Sequence, residues 1–189
     1  MSKKVLVILA EGFEEIEAVT PIDVLRRAGV EVQVAGLAAK TVTGAHGIRI
    51  EADTVLSDVK NLPDAVILPG GMPGAKHLSE SKEVLNLVKK MHQAKKLVGA
   101  ICAAPALALT QAGVLNGKRA TCYPGFEKNF SSSVKFTEER VVVDGNVVTS
   151  RGPGSALEFA LELSEQLAGK AKAEELQEGI LAVTQAGRF

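Results

Sequence analysis

The chain has 189 residues, 46% of them hydrophobic and 23% charged, and its 22 basic and 22 acidic side chains leave a formal net charge of +0. Length and apolar content suit one domain spanning residues 1–189 with a sizeable core and exclude a disordered chain. The charges are interspersed, so nothing draws nucleic acid or an anionic membrane, and the two cysteines, Cys102 and Cys122, sit in settings unlike a secreted disulfide scaffold and point to a reducing compartment.

Lys3 and Lys4 followed by Val5 to Ala10 mimic the start of a signal peptide, but the apolar run is short and Glu11, Glu14, Glu15 and Glu17 follow at once. No segment approaches the ~20 apolar residues of a membrane helix, so a soluble, cytoplasmic protein is expected. Val5-Leu6-Val7-Ile8-Leu9 is continuously apolar and β-branched, the pattern of a strand buried on both faces of a parallel sheet. Glu14 to Ala28 is helical in pattern, with Ile16, Val19, Ile22 or Asp23, and Arg26 spaced by turns; Pro21 should kink it or mark a close contact, and Gly29 ends it. Val30 to Val34 alternates as a strand. Lys40 to Asp53 predicts short antiparallel strands at a sheet edge.

Ala65 to Leu68 is another buried strand, ending in Pro69-Gly70-Gly71. Lys82 to Lys95 is an amphipathic helix, and Leu97 to Ile101 a strand that runs into Cys102 and then a helix with Pro105 in its first turn. Arg119-Ala120-Thr121 reads as a short strand. Val141 to Thr149 is a hairpin with its turn centred on Asp144-Gly145. Ser155-Ala156-Leu157-Glu158 matches a capping box opening a helix to about Leu167, and a last helix runs from Lys172 to about Leu181. Alternating strands and helices predict a three-layer α/β/α sandwich, flavodoxin-like, around a mainly parallel central sheet.

In such sheets chemistry gathers at the C-terminal ends of the strands. Three strand exits carry unusual residues there: the acids from Glu11 to Glu17, the Gly70-Gly71 pair, and Cys102. A cysteine at a strand-to-helix corner sits among outward-pointing N–H groups, which lower its pKa and favour a reactive thiolate; the alternative is a buried structural thiol. One of the two glycine N–H groups together with that of Ala103 suits an oxyanion hole, while an isolated Gly-Gly pair also makes a plain tight turn. A carboxyl beside the sulfur should have a raised pKa and shuttle protons near neutrality. Spacing alone does not choose between Glu14, Glu15 and Glu17. His46, His77 and His92 share no metal-ligand spacing. Cys122 reads as a packed thiol, and Arg151-Gly152-Pro153-Gly154 as a helix entry or an anion site.

The motifs Val7 to Glu17, Leu68-Pro69-Gly70-Gly71, Ala100 to Pro105 and Thr149 to Gly154 resemble, in order and spacing, those of the parkinsonism-associated deglycase family within the ThiJ/PfpI superfamily. The resemblance implies that Cys102 is the nucleophilic, oxidation-sensitive cysteine and Glu17 its protonated carboxyl partner. It implies backbone donors at Gly71 and Ala103, and a pocket rim with Gly70, Arg27 and Tyr123. It implies a homodimer through the first helix, no metal or organic cofactor, and a small dicarbonyl substrate or glycated adduct. The implied activity is that of a glutathione-independent glyoxalase or deglycase for methylglyoxal and glyoxal; the alternative is a redox-sensing chaperone using the same cysteine. Animal members carry a histidine where Tyr123 stands and an arginine where His46 falls. Ala103, rather than a histidine, follows Cys102, which disfavours proteolysis.

Overall fold

The computed structural model describes residues 2–182. Its strands are β1 (Lys4–Leu9), β2 (Glu31–Gly36), β3 (Thr41–Thr43), β4 (Arg49–Glu51), β5 (Thr54–Val55), β6 (Ala65–Leu68), β7 (Leu97–Ile101), β8 (Arg119–Ala120), β9 (Lys135–Phe136), β10 (Val141–Asp144) and β11 (Val147–Ser150). Its α-helices are α1 (Glu15–Arg27), α2 (Gly74–Glu80), α3 (Lys82–Gln93), α4 (Ala156–Ala168) and α5 (Lys170–Gly179).

Seven strands form one sheet in the order β10-β11-β7-β6-β1-β2-β5, parallel throughout except for β10. The inner five, β2-β1-β6-β7-β11, have the flavodoxin-like order, whose reversal point lies between the first and third strands, here β1 and β6. Successive strand side chains point to opposite faces, and this divides the core in two. Leu6, Ile8, Val66, Leu68, Val98 and Ala100 pack against Leu78 of α2 and Val84, Val88 and Met91 of α3. Val5, Val7, Leu9, Ile67 and Ile101 pack against Val24 and Leu25 of α1, Phe159 and Leu163 of α4 and Leu176 of α5. Both faces of β1 and β6 are therefore covered, which is why those runs are apolar without alternation. No helix among the described residues is long and apolar enough to cross a membrane.

Several local expectations are corrected. The strands between Lys40 and Asp53 pair only with each other, as a separate β3–β4 hairpin; the sheet edge is β5, which pairs parallel to β2. Asp144 pairs with Val147, so the hairpin turn is Gly145-Asn146, one residue later than expected, with Gly145 at φ +64°. Helix α2 has no counterpart in the sequence reading. Ser155 caps no α4 N–H; its hydroxyl bonds Gly152 and Ser150, and Glu158 pairs with Arg140 instead. In α1, Ile16 and Val19 stand exposed, while Ala18, Pro21, Val24 and Leu25 face the core. Pro21 sits inside an unbroken helix and is buried.

Candidate active site

The exits of β1, β6 and β7 meet at the reversal point of the sheet. Cys102 follows β7 directly. Its N–H donates to Ser150 O at 2.9 Å, and its carbonyl accepts from Tyr123 N–H at 2.9 Å. Clamped on both sides, it adopts φ +65°, a left-handed conformation that disfavours a residue with a Cβ and is a common form of strain at reacting residues. The chain beyond it opens with a π-helical turn over Pro105–Leu109, the wide-ring form that recurs at functional sites.

Glu17 lies one turn into α1 on its inward face and is 0% exposed. Its Oε2 accepts the Gly70 N–H at 2.8 Å, while Oε1 is buried with no hydrogen-bond partner. A Cβ at Gly70 would lie 2.5 Å from Cys102 Cβ and 2.7 Å from Glu17 Oε2, so carboxyl and thiol meet over a residue that must lack a side chain. Gly71, at φ +85°, turns the chain so that its N–H, with that of Ala103, donates to the Cys102 sulfur.

Burial pushes Glu17 from 4.5 to about 7; the Gly70 N–H and the thiol pull it back, and the Glu14 charge pushes it further. Burial and then the Glu17 charge push Cys102 from 9.0 to about 12 against the pull of the Gly71 and Ala103 N–H groups. The expectation that main-chain amides at the corner are enough to acidify this thiol is therefore corrected. Desolvation outweighs them. Burial leads both rises, and the Glu17 charge adds to that of Cys102, so the two groups titrate as a coupled pair.

The thiol opens into a cavity of about 490 Å³ lined by Glu14, Ile16, His46, Gly71, Met72, Ala103, Tyr123, Phe126 and Pro153. Tyr123 packs against Gly152 and edge-on to Phe126, with ring centroids 6.4 Å apart. Cys122 is 0% exposed, and burial pushes its thiol to about 12, as befits a packed residue. Both cysteines are free. Within the single chain Arg27 does not line this cavity. It ends α1, ten residues and thus about 15 Å of rise beyond Glu17, and pairs with Asp23 at 3.0 Å. Sequence reasoning missed Ile16, Met72 and Phe126, apolar residues whose pattern carried no signal.

His46 belongs to the rim through an arrangement that spacing did not show. Its Nδ1 lies 2.9 Å from Glu15 Oε2 and 3.4 Å from Glu14 Oε2. Burial raises the Glu15 pKa, but the His46 ring and the backbone N–H groups of His46 and Ile48 outweigh it and leave it lowered. The Glu15 hydrogen bond, then the charges of Glu14 and Glu15, raise that of His46.

The model of the DJ-1/PfpI family matches residues 3–166. The chain belongs to the DJ-1/PfpI family. Protein dj-1beta of Drosophila melanogaster is 44% identical over 184 residues, covering 96% of this chain and 98% of that protein. Its crystal structure superposes with a TM-score of 0.91 at 43% identity, covering 97% of this chain and all of that one. Protein DJ-1 homolog B of Arabidopsis thaliana is 48% identical over 177 residues, 93% of this chain and 40% of that protein. The chain spans less than half the length of both Arabidopsis homologs, B and A. A Caenorhabditis elegans protein named glutathione-independent glyoxalase DJR-1.2 is 40% identical over 177 residues, 92% of this chain and 94% of that one.

Proposed function

We propose that this chain is a cofactor-independent, cysteine-dependent glyoxalase or deglycase acting on methylglyoxal and glyoxal or their early adducts. The observation that carries the reading is the Cys102–Glu17 pair: a strained thiol at the mouth of a cavity, beside a fully buried carboxyl. Once the pair has lost one proton, the remaining one sits on Glu17. Counting donors supports this. A thiolate receives the Gly71 and Ala103 N–H groups and the carboxyl O–H, whereas a Glu17 carboxylate receives only the Gly70 N–H and the S–H.

The Cys102 sulfur attacks the aldehyde carbon of methylglyoxal, forming the S–C bond of a hemithioacetal. Negative charge moves from sulfur to oxygen, and the Gly71 and Ala103 N–H groups follow it. Glu17 gives its proton to that oxygen, then as carboxylate removes the proton on the same carbon. It returns this proton to the neighbouring carbon, and the hydroxyl proton passes from the first oxygen to the second, so the ketone becomes an alcohol and the adduct a thioester. The aldehyde carbon is oxidised and its neighbour reduced, so no outside electrons are needed. Water cleaves the resulting thioester, releasing lactate and regenerating the thiol. With a glycated amine or thiol, the adduct carbon takes the place of the aldehyde. A carboxyl whose hold on its proton burial has raised toward neutrality suits both directions of transfer.

Mixing purified protein with methylglyoxal and measuring dicarbonyl loss and lactate tests this. Cys102→Ala is expected to abolish turnover; activity equal to wild type removes the mechanism.

Cys102 also supports a second reading, as a redox sensor. It is accessible from the cavity while Cys122 is sealed in the core, so mild peroxide reaches one thiol selectively. Intact mass after peroxide should show two oxygens on Cys102 alone. Oxidation spread over Cys122 and the methionines contradicts it.

The chain pairs with a second copy through α1. Ile16 and Val19, 54% and 48% exposed, form an apolar patch beside the cavity, and burying them gives the association its driving force.

A further inference from the structure

We propose that Glu14, Glu15 and His46 form a binding site for one divalent transition cation of the zinc type, at the rim of the Cys102 cavity. Histidine spacing in the sequence gave no metal set. The fold makes one by bringing the loop after β3 against the start of α1. One ligand atom from each of the three residues lies within 4.8 Å of the others. The His46 Nδ1 separations, 2.9 Å to Glu15 Oε2 and 3.4 Å to Glu14 Oε2, bracket the edge of about 3.3 Å that a tetrahedral ion with bonds of about 2.0–2.1 Å requires.

The two carboxylates are not ordinary surface acids. Glu15 is held rigidly: its Oε1 accepts the His46 and Ile48 N–H groups at 2.7 and 3.3 Å. A Cβ at Gly44 would fall 2.3 Å from that oxygen, so the backbone of the loop closes directly over it. Such outer contacts fix a ligand's orientation and leave Oε2 free to coordinate. Glu14 is the independent sign. Its side chain is only 11% exposed, and the one cation-capable group that meets its carboxylate among the described residues is His46 Nδ1 at 3.4 Å. Burying an acid with so little compensation is costly unless a cation meets it.

Two carboxylates and one imidazole neutralise a +2 ion and suit zinc better than the all-oxygen shells of magnesium or calcium. Three protein ligands leave a fourth position open toward the cavity, the pattern of a reactive site rather than a closed structural one.

Zinc chloride titrated into the Cys102→Ser variant by calorimetry tests this, since that background removes the competing thiol of the cavity. One equivalent should bind. Adding His46→Ala or Glu14→Gln should weaken binding by at least about tenfold, with circular dichroism confirming that each variant folds. His46 is 70% exposed as a side chain, so its loss should leave the fold intact. Cobalt in place of zinc should show a visible spectrum of nitrogen and oxygen ligation without a thiolate charge-transfer band. No binding in the Cys102→Ser protein, or binding unchanged by His46→Ala and Glu14→Gln, overturns the proposal.

Discussion

Gly70 gives its backbone N–H to Glu17 Oε2 at 2.8 Å and leaves vacant the volume in which the Glu17 carboxyl and the Cys102 thiol approach each other. The exit of β6 thus fixes the acid, and the exit of β7 fixes the nucleophile. Replacing Gly70 with alanine puts a methyl into both. We expect Gly70→Ala to cost about 1–3 kcal/mol of stability by overpacking and to lower methylglyoxal turnover by roughly a hundredfold or more, since a shift of 1 Å at the reacting groups has that effect. Denaturant melts and lactate production measure the two. Wild-type activity in a folded Gly70→Ala protein contradicts the placement.

Glu17→Gln should be more stable than wild type at neutral pH. Burial raises the folded carboxyl from 4.5 to about 7, so the folded pair keeps both protons over that range while the unfolded carboxyl has released its own. Stability therefore falls as pH rises through this window, by on the order of 3 kcal/mol, and glutamine removes that loss. Urea unfolding at pH 4.5 and at 7.5 should show similar midpoints for the two proteins at the acid value and a higher one for the variant at the neutral value. Parallel pH dependence in both would show that Glu17 does not titrate as described.

Left-handed strain at Cys102 has its own signature. Cys102→Gly should be more stable than Cys102→Ala by about 1 kcal/mol, because glycine adopts φ +65° without penalty. Neither variant has a thiol, so their difference isolates the backbone. Equal stability, or an advantage for alanine, would mean that the corner is relaxed.

Val19→Lys should dissociate the proposed pair of chains, seen as a halved mass in light scattering, while circular dichroism stays unchanged. A monomeric wild type, or a variant that still pairs, places any interface elsewhere.

Much of this was legible in the sequence for identifiable reasons. β1, β6 and β7 are apolar runs because both faces of the sheet are covered, and α3 announces itself by its apolar stripe, with Val84, Val88 and Met91 buried. Cys102, Gly70 and Gly71 were visible because strand ends in open sheets collect chemistry. The choice among the acids was not legible, because about 100° per residue around a helix axis sends Glu14 to the cavity, Glu15 to the loop after β3 and Glu17 inward; the family resemblance named Glu17. α2 was missed because seven residues beginning with glycine and lacking a side-chain cap carry little periodicity. The sign of the Cys102 shift was missed because desolvation depends on what packs around the sulfur, which no local pattern records.

The central claim is that, with one proton left in the pair, sulfur carries the charge and Glu17 carries the proton. The ultraviolet absorbance of the thiolate, taken as wild type minus Cys102→Ala across pH, tests it most directly. The account predicts that the signal appears by about pH 7, as the pair gives up its first proton. A sulfur that stays protonated well above neutral pH while Glu17 alone ionises contradicts it.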